Sequence, residues 1–391
     1  MKPIVNRAFL KTIEEIFHSG QLSWDAQQRL RHGHGHTQED VYSINFGVGI
    51  GRVPDLVVFP ESVRQVERLI ESAVTCDVCL IPYGGGTNVS QALRCPEVES
   101  RMIVSVDISR MDKIRWVDPE NRLACIEAGA VGRHIEAALG HHGLCLGHEP
   151  DSMEFSTLGG WIATKASGMK RNQYGNIEDI TLDVEAVSAS GVLAFTPNIA
   201  PRQSVGSDPK TFIFGSEGNT CIITAAVVKL RPLPAVRYYG SFVFPCFESG
   251  IQFMKEMSQE SVQPASIRLV DNMQLRFSQA LKPTPTLWAS LKSRFEAKYL
   301  GLVKGFNLHE MAACTLVFEG KKMDVQRQQQ IVHKKAKKFH GLEAGAENGR
   351  RGYEMTFAIA YIRDCVMSLG CSPSHSRLLV HGAMPWGYTK M

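Results

Sequence analysis

Residues 78–90 read VCLIPYGGGTNVS, a short apolar run that leads directly into three glycines and small polar residues. Glycines leave backbone N–H groups uncovered by side chains, and this arrangement suits the oxygens of a diphosphate. The stretch is not a Walker loop, because no Gly-Lys-Ser/Thr follows, and it does not match Gly-x-Gly-x-x-Gly. By itself it indicates a phosphate-binding loop about as well as it indicates a plain turn.

Strand and helix patterns surround this loop. Residues 56–59 are apolar and end at Pro60, and apolar residues recur at helical spacing from 63 to 74, after a capping box predicted for Ser62 and Gln65. With residues 78–82 this order predicts a strand–helix–strand unit of the α/β kind. Further strands are predicted at 103–107, 123–127, 180–186 and 222–230, and the alternating pattern of 180–186 is typical of a half-exposed strand.

The composition is that of a globular protein and excludes several classes. Of 391 residues, 44% are hydrophobic and 21% are charged, so the chain is not disordered, collagen-like or a coiled coil. A net charge of +4 is too weak to indicate a nucleic-acid partner, and we interpret the lysines at 334, 335, 337 and 338 as a solvated helix end. No apolar run reaches the ~18 residues of a membrane span, and residues 1–20 lack the apolar core of a secretory signal.

The cysteine and histidine clusters are interpreted as structural features and not as metal or redox sites. The ten cysteines are expected to be free thiols of an intracellular protein, and Cys76 and Cys79 are interpreted as core residues because no second C-x-x-C completes a metal site. Residues 31–36 read RHGHGH and predict a polar loop, since alternating glycines give no rigid ligand geometry. We therefore predict no metal site.

Two further segments carry small residues suited to a phosphate ligand. Residues 148–161 read HEPDSMEFSTLGGW, in which Pro150 excludes the zinc motif H-E-x-x-H, and Ser156 and Thr157 can cap a helix that faces a phosphate. Residues 214–222 read FGSEGNTCI, a glycine loop that enters a long strand.

Together these segments resemble the FAD domain of the vanillyl-alcohol-oxidase or PCMH type. The stretches GMKRNQYGNIED (168–179), ASIRLVDN (265–272) and NGRRGY (348–353) are similar to those of the alkyldihydroxyacetonephosphate synthase family. The resemblance runs from about Arg29 to Asp364. It implies an α+β fold: a helical and loop segment at 1–50, a two-subdomain PCMH-type FAD-binding domain at 51–234, and an incomplete α/β cap domain at 235–364.

The resemblance also implies site residues. FAD would be held by four segments, whose residues are Pro82, Tyr83, Gly84, Gly85, Gly86, Thr87 and Asn88; Asp151, Ser152, Met153, Glu154, Phe155, Ser156 and Thr157; Thr164, Lys165, Ala166 and Ser167; and Glu217, Gly218, Asn219, Thr220, Cys221, Ile222 and Ile223. Arg268 matches an arginine important for activity in the family. A cation there suits a phosphorylated substrate and an electron-rich flavin adduct; a structural salt bridge is the alternative.

The implied activity is the exchange of the acyl chain of acyl-dihydroxyacetone phosphate for a fatty alcohol, a step of ether-lipid synthesis, on an FAD that undergoes no net redox change. The resemblance also implies that the protein is a homodimer located in the peroxisome. Peripheral association with the membrane is left open, and no nucleic-acid partner is expected. Two alternatives remain: an FAD-dependent hydroxy-acid oxidoreductase of the same fold, and a non-catalytic chain that binds FAD or dimerises with a full-length synthase.

Three features depart from the family pattern. Cys221 stands where the family has a glycine, which is expected to crowd FAD or shift the loop. No peroxisomal address is visible. Residues 365–391 contain no Asp or Glu and predict a non-family tail. Because the family's catalytic tyrosine, a substrate-binding arginine and a histidine cluster lie beyond the match, we expect little or no activity from this chain.

Overall fold

The computed structural model describes residues 2–49, 51–196, 204, 206–280, 306–307 and 309–368. The chain forms two compact units. Unit 1 comprises Met1–Met169 and Tyr174–Leu233, and unit 2 comprises Lys170–Gln173 and Pro234–Met391. The predicted loop at 282–285 and the segment from 369 onward lie outside the described residues.

The helices and strands are numbered in chain order. The helices are α1 (Arg7–Glu14), α2 (Ala26–His32), α3 (Gln38–Phe46), α4 (Val63–Thr75), α5 (Gly132–Gly140), α6 (Leu158–Thr164), α7 (Arg171–Tyr174), α8 (Ile177–Ile180), α9 (Lys210–Ile213), α10 (Phe247–Ser258), α11 (Asn272–Ala280), α12 (Lys322–Lys338) and α13 (Ala346–Ser368). The strands are β1 (Leu22–Ser23), β2 (Leu56–Val58), β3 (Cys79–Tyr83), β4 (Ile103–Asp107), β5 (Ile114–Asp118), β6 (Leu123–Glu127), β7 (Leu144–Cys145), β8 (Thr181–Ser188), β9 (Gly191–Leu193), β10 (Ile222–Lys229), β11 (Arg231–Pro232), β12 (Val236–Phe244), β13 (Ser266–Val270), β14 (Ala312–Gly320) and β15 (Leu342–Glu343).

The first sheet of unit 1 contains the predicted strand–helix–strand unit. Its order is β1-β2-β4-β3, and β4 runs parallel to both β2 and β3. Helix α4 connects β2 to β3, and its first turn is capped by the Ser62 side chain, which accepts from the Gln65 N–H. The Gln65 side chain accepts from Glu61 N–H instead of Ser62 N–H, so only half of the predicted capping box forms.

The second sheet of unit 1 is antiparallel, in the order β5-β6-β10-β8-β9. The prediction that 180–186 is half exposed is wrong, because both faces of β8 are covered. Val184 and Ala186 belong to the main core of unit 1, whereas Leu182, on the opposite face, packs in a small cluster with Cys125, Ala225 and Val227. This second apolar cover is made by distant strands, so the local alternation could not reveal it.

Unit 2 is built on one antiparallel sheet, in the order β13-β14-β12-β15. Its core contains Phe244 and Phe253, which lie 5.1 Å apart between ring centroids, and Leu316 and Phe318 from β14. The lysine-rich end of α12 is partly paired, since Lys335 and Lys338 both form ion pairs with Glu256 on α10. This supports the interpretation of a solvated helix end.

Two predicted boundaries differ from the structure. His32 lies in the last turn of α2 instead of in the loop predicted for 31–36, because Asp25 caps the helix and the first glycine ends it. Helix α13 continues to Ser368, past the start of the predicted tail at 365. In the described part of the chain, no helix is both long and apolar enough to cross a membrane.

Candidate functional site

The glycine loop after β3 packs directly against the segment before α6. A Cβ atom on Gly84 would lie 2.5 Å from Thr157 Oγ1, and one on Gly85 would lie 2.2 Å from the Phe155 carbonyl oxygen. Both distances are far below any real Cβ contact, so only glycine fits at these positions. Two segments that are about 70 residues apart in sequence therefore form one cradle.

This cradle lines a cavity of about 380 Å³ in unit 1. The predicted residues that line it are Pro82, Tyr83, Gly84, Gly85, Gly86, Thr87, Asn88, Ser152, Ser156, Thr157, Thr164, Ala166, Glu217, Gly218, Cys221, Ile222 and Ile223. The predicted residues that are not part of its wall are Asp151, Met153, Glu154, Phe155, Lys165, Ser167, Asn219 and Thr220. All four predicted segments thus contribute to one cavity.

Sequence reasoning missed part of this wall. The missed residues are Val89, Ser90, Ala92, Leu93, Ile108, Ala128, Pro150, Gly159, Gly160, Trp161 and Ala163. Nine of them lie inside a quoted motif or within three positions of one. Those inside a motif, but not assigned to FAD, are Val89, Ser90, Pro150, Gly159, Gly160 and Trp161; those just outside are Ala92, Leu93 and Ala163. Ile108 and Ala128 lie just after β4 and β6, where no local pattern marks them.

The cavity wall carries little charge. Glu217, Tyr83 and Cys221 are its ionisable residues, and Lys, Arg and His are absent from the described residues that line it. Burial raises the pKa of the Tyr83 phenol, and the Arg31 guanidinium, which hydrogen-bonds to that phenol, opposes the rise. Burial also raises the pKa of the Cys221 thiol. A diphosphate here would depend on backbone N–H groups and hydroxyls.

His148, the first residue of the second motif, is buried beside the cavity residue Trp161. Its ring is 1% exposed, and its centroid lies 5.0 Å from the Trp161 ring. Neither ring nitrogen has a hydrogen-bond partner among the described residues, and burial lowers the pKa of His148 to about 4. The imidazole is therefore neutral near pH 7. Gly168 makes room for it, since a Cβ there would lie 2.9 Å from His148 Nδ1.

Unit 2 has a second cavity, of about 160 Å³, and the predicted residue Arg268 lines it. Arg268 lies on β13, opposite Thr315 of β14, and its guanidinium donates a hydrogen bond to the Thr356 hydroxyl on α13. Asn348 and Arg351, also on α13, contribute further polar groups to the wall. The rest of the wall is mostly apolar and includes Phe242, Val243, Val270, Leu275, Phe277, Ala313, Ala344, Met355 and Ile362.

Two glycines of the NGRRGY motif bring α13 against the sheet. A Cβ on Gly349 would lie 2.4 Å from the Gly240 carbonyl oxygen, and one on Gly352 would lie 2.4 Å from Thr315 Cγ2. The missing side chains let the helix approach the strands closely, and Asn348 and Arg351 are thereby placed at the cavity. The predicted absence of a metal site is not contradicted, since the described residues contain no cluster of metal ligands.

Comparisons with known proteins match each of the two units to a family of FAD-dependent proteins. Residues 54–196 match the family model of the FAD binding domain, and residues 233–373 match that of the C-terminal domain of FAD linked oxidases, which extends past Asp364, the predicted end of the resemblance. The chain is 43% identical over 369 residues to the alkyldihydroxyacetonephosphate synthase of Caenorhabditis elegans, covering 94% of this chain and 61% of that relative.

Solved structures give the same result. Two crystal forms of alkyldihydroxyacetonephosphate synthase superpose with TM-scores of 0.84 and 0.82, at 34% and 32% identity. Each covers 94% of this chain, and this chain covers 65% and 67% of them. The predicted α+β, two-domain fold is confirmed.

The cavity in unit 1 fits FAD, the predicted cofactor, which the family match confirms. Gly84 and Gly85 let the glycine loop pack closely against residues 155–157, and Gly84, Gly85, Ser156 and Thr157 all line the cavity. Asn88 lines the cavity, and its side-chain oxygen is buried without a hydrogen-bond partner among the described residues. Hydroxyls of Ser152, Thr157 and Thr164 also reach the wall.

The chain spans about three fifths of the length of the curated relatives it matches. Within that span the two family models, the sequence identity and the superposition agree over both units. The chain belongs to the alkyldihydroxyacetonephosphate synthase family of FAD-binding proteins.

Proposed function

We propose that this chain acts as an alkyldihydroxyacetonephosphate synthase. In that reaction a fatty alcohol replaces the acyl chain of acyl-dihydroxyacetone phosphate, the acyl chain leaves as a fatty acid, and the product carries an ether bond. The observation that carries the proposal is the cavity of unit 2, which combines two guanidinium groups with a mostly apolar wall. A phosphorylated lipid presents the matching pair of chemical features.

The polar part of this cavity suits a phosphate. Arg268 and Arg351 are both always charged at neutral pH, and a guanidinium can donate two parallel hydrogen bonds to phosphate oxygens. The hydrogen bond to Thr356 fixes the Arg268 side chain, which reduces the entropy lost when a substrate binds. Asn348 adds an amide donor.

The apolar part suits a hydrocarbon chain. Phe242, Leu275, Phe277 and Met355 line the same space. Burying alkyl carbons there is favourable by about 0.8 kcal/mol per methylene. Met355 adds an adaptable surface, since its unbranched side chain fits irregular shapes.

FAD, when bound, supplies the electrophilic ring that can hold the dihydroxyacetone phosphate unit while the chains exchange. This chain's own residues would hold the cofactor: the glycine loop, packed against Thr157, would offer its backbone N–H groups to the diphosphate, and Asn88 and Thr157 would supply side-chain contacts. His148 packs beside the cavity residue Trp161, and its lowered pKa means that it adds no charge next to the cavity near pH 7.

The direct test is an exchange assay. Purified chain loaded with FAD is given a long-chain acyl-dihydroxyacetone phosphate and a radiolabelled fatty alcohol, and label in base-stable ether product is measured. Product above a flavin-only blank would support the proposal and contradict the sequence-based expectation of little or no activity. Arg268→Gln should then lower kcat by about 10²–10³-fold. Arg276→Gln, on α11 and outside the cavity wall, is the matched control and should keep its rate.

The same preparation separates the alternatives. A flavin-loaded chain that forms no ether product but whose flavin is reduced by a 2-hydroxy acid would overturn the proposal in favour of an oxidoreductase. Flavin binding with neither reaction, together with recovery of a full-length synthase as a co-purified partner, would favour the non-catalytic alternative.

We also propose that the protein works as a homodimer in the peroxisome, associated peripherally with the membrane. These properties rest on the family resemblance. Sedimentation of the purified chain at several concentrations tests the dimer, and localisation of the tagged protein against a peroxisomal marker tests the compartment; a monomer or a cytosolic signal would overturn the respective statement.

A further inference from the structure

The His-Gly-His-Gly-His segment, residues 32–36, contacts the phosphate loop without lining its cavity. The parallel pairing of β3 with β4 places Tyr83 and Asp107 opposite each other at the carboxyl ends of the two strands. His32, at the end of α2, lies against both of them. Its ring centroid lies 4.1 Å from that of Tyr83, the residue that begins the glycine loop.

His32 is held rigidly at this position. Its Nδ1 lies 2.7 Å from the Gln28 carbonyl oxygen, and its Nε2 lies 2.7 Å from Asp107 Oδ2. Both ring nitrogens therefore lie within hydrogen-bond distance of an oxygen, which fixes the orientation of the ring. The side chains of His32 and Asp107 are 2% and 9% exposed. Asp107 is fixed in turn, because its other oxygen accepts from Ser109 N–H at 2.8 Å.

The same segment touches the far end of the loop through its backbone. His36 N–H donates to the Asn88 carbonyl oxygen at 2.7 Å. Gly35 packs so closely that a Cβ atom there would lie 2.5 Å from the Asn88 carbonyl oxygen and 2.7 Å from its side-chain oxygen. The loop is therefore contacted at both ends, at Tyr83 through His32 and at Asn88 through Gly35 and His36.

We propose that His32, Gly35 and His36 form a brace that positions the FAD diphosphate loop, with His32 as its central positioning residue. The wall of the FAD cavity has no Lys, Arg or His among its described residues, so diphosphate binding depends on where the loop holds its backbone N–H groups. A loop that is already ordered loses less entropy on binding. This inference rests on the FAD-binding domain and is independent of the synthase reaction.

The test compares variants of the full chain by fluorescence titration with FAD, alongside their unfolding midpoints without FAD. Gly35→Ala pushes on Asn88 and changes no charge, and His32→Phe keeps a ring against Tyr83 without its hydrogen bonds. We expect each to raise the Kd for FAD by about tenfold or more. His34→Ala is the matched control, because the His34 side chain is half-buried in the same segment and its Nδ1 lies 2.7 Å from the adjacent Gly35 carbonyl oxygen. The Kd of this variant for FAD should stay within about twofold of the unmodified value.

A rescue variant shows whether His32 positions the loop for FAD binding or only stabilises the fold. His32→Arg can donate to Asp107 and stack on Tyr83, so we expect it to recover affinity relative to His32→Phe. His32→Phe leaves the buried Asp107 carboxylate without this partner, and if it fails to fold, Gly35→Ala decides. Folded Gly35→Ala that binds FAD as tightly as the unmodified chain would overturn the proposal.

Hydrogen–deuterium exchange on the unmodified chain gives a second readout. We expect FAD to slow exchange of the His36 amide together with the amides of residues 84–88. Unchanged exchange at His36, with protection confined to residues 84–88, would also overturn the brace.

Discussion

The Lys170 ammonium lies 2.9 Å from Glu319 Oε1, and the two side chains are 2% and 0% exposed. Arg237 approaches the same carboxylate oxygen, at 2.5 Å. Lys170 belongs to the GMKRNQYGNIED stretch, and residues Lys170–Gln173 are the part of that stretch that belongs to unit 2. A buried ion pair thus fixes this short segment to β14.

Removing one partner of this pair should destabilise unit 2 strongly. Lys170→Met removes the buried ammonium from a buried carboxylate that also pairs with the half-exposed Arg237, and such losses cost about 3–5 kcal/mol. Urea unfolding measures the change. Lys170→Met/Glu319→Leu should recover most of the stability, because no charge remains buried. Lys338→Met, which removes an exposed pair with Glu256, is the control and should unfold like the unmodified chain.

The free energy of unfolding should decrease as the pH falls, because His148 takes up a proton more readily in the unfolded chain than in the folded one. The folded pKa of about 4 lies below the ordinary value of 6.5, so between these values the unfolded chain takes up a proton that the native chain does not. Stability is therefore lost progressively as the pH falls from about 6.5 to about 4, by about 3 kcal/mol in total.

A His148→Phe variant isolates this contribution. Phenylalanine keeps an aromatic ring beside Trp161 and does not titrate. The difference in unfolding free energy between pH 7 and pH 5 should be about 2 kcal/mol smaller in the variant than in the unmodified chain. Identical pH dependence in the two proteins would show that the fold does not lower the pKa of His148.

Gly85→Ala should abolish FAD binding. Its Cβ would lie 2.2 Å from the Phe155 carbonyl oxygen, so the glycine loop must separate from residues 155–157 and the cradle opens. The flavin content of the purified protein, read from its absorption spectrum after denaturation, measures the loss. Gly140→Ala on α5 meets no atom within 4 Å and should retain full flavin; a Gly85→Ala protein with full flavin would contradict the cradle.

Cys221 should weaken FAD binding relative to glycine. Its half-buried side chain is part of the cavity wall, and the Thr220 hydroxyl donates to its sulfur at 3.6 Å. We expect Cys221→Gly to lower the Kd for FAD severalfold in a fluorescence titration. Cys221→Ala distinguishes the cause: if the sulfur crowds the cofactor, alanine also tightens binding, and if the backbone must move, only glycine does. Weaker binding by both variants would mean that the thiol contacts FAD favourably.

Local patterns in the sequence are enough to predict five strands and one helix of unit 1, and the motifs are enough to predict the cofactor segments. Strands β2, β3, β4, β6 and β10 follow from apolar runs bounded by turn residues, and α4 follows from its spacing after Ser62. These signals are local, so a window of a few residues is enough to detect them. The four FAD segments were assigned from the resemblance of their glycine and hydroxyl motifs to the family, and all four contribute residues to one cavity.

Only the tertiary structure decided which residues support those segments. His32 was assigned to a polar loop, yet it joins α2 to Asp107 and Tyr83, which are 75 and 51 positions away. Residues 180–186 were predicted to form a half-exposed strand, yet Leu182 packs in a second cluster with Cys125 and Val227. Lys170 carried a family motif but no visible role until β14 placed Glu319 beside it. In each case the deciding contact joins residues far apart in sequence, and burial by a distant strand leaves no mark on the local pattern.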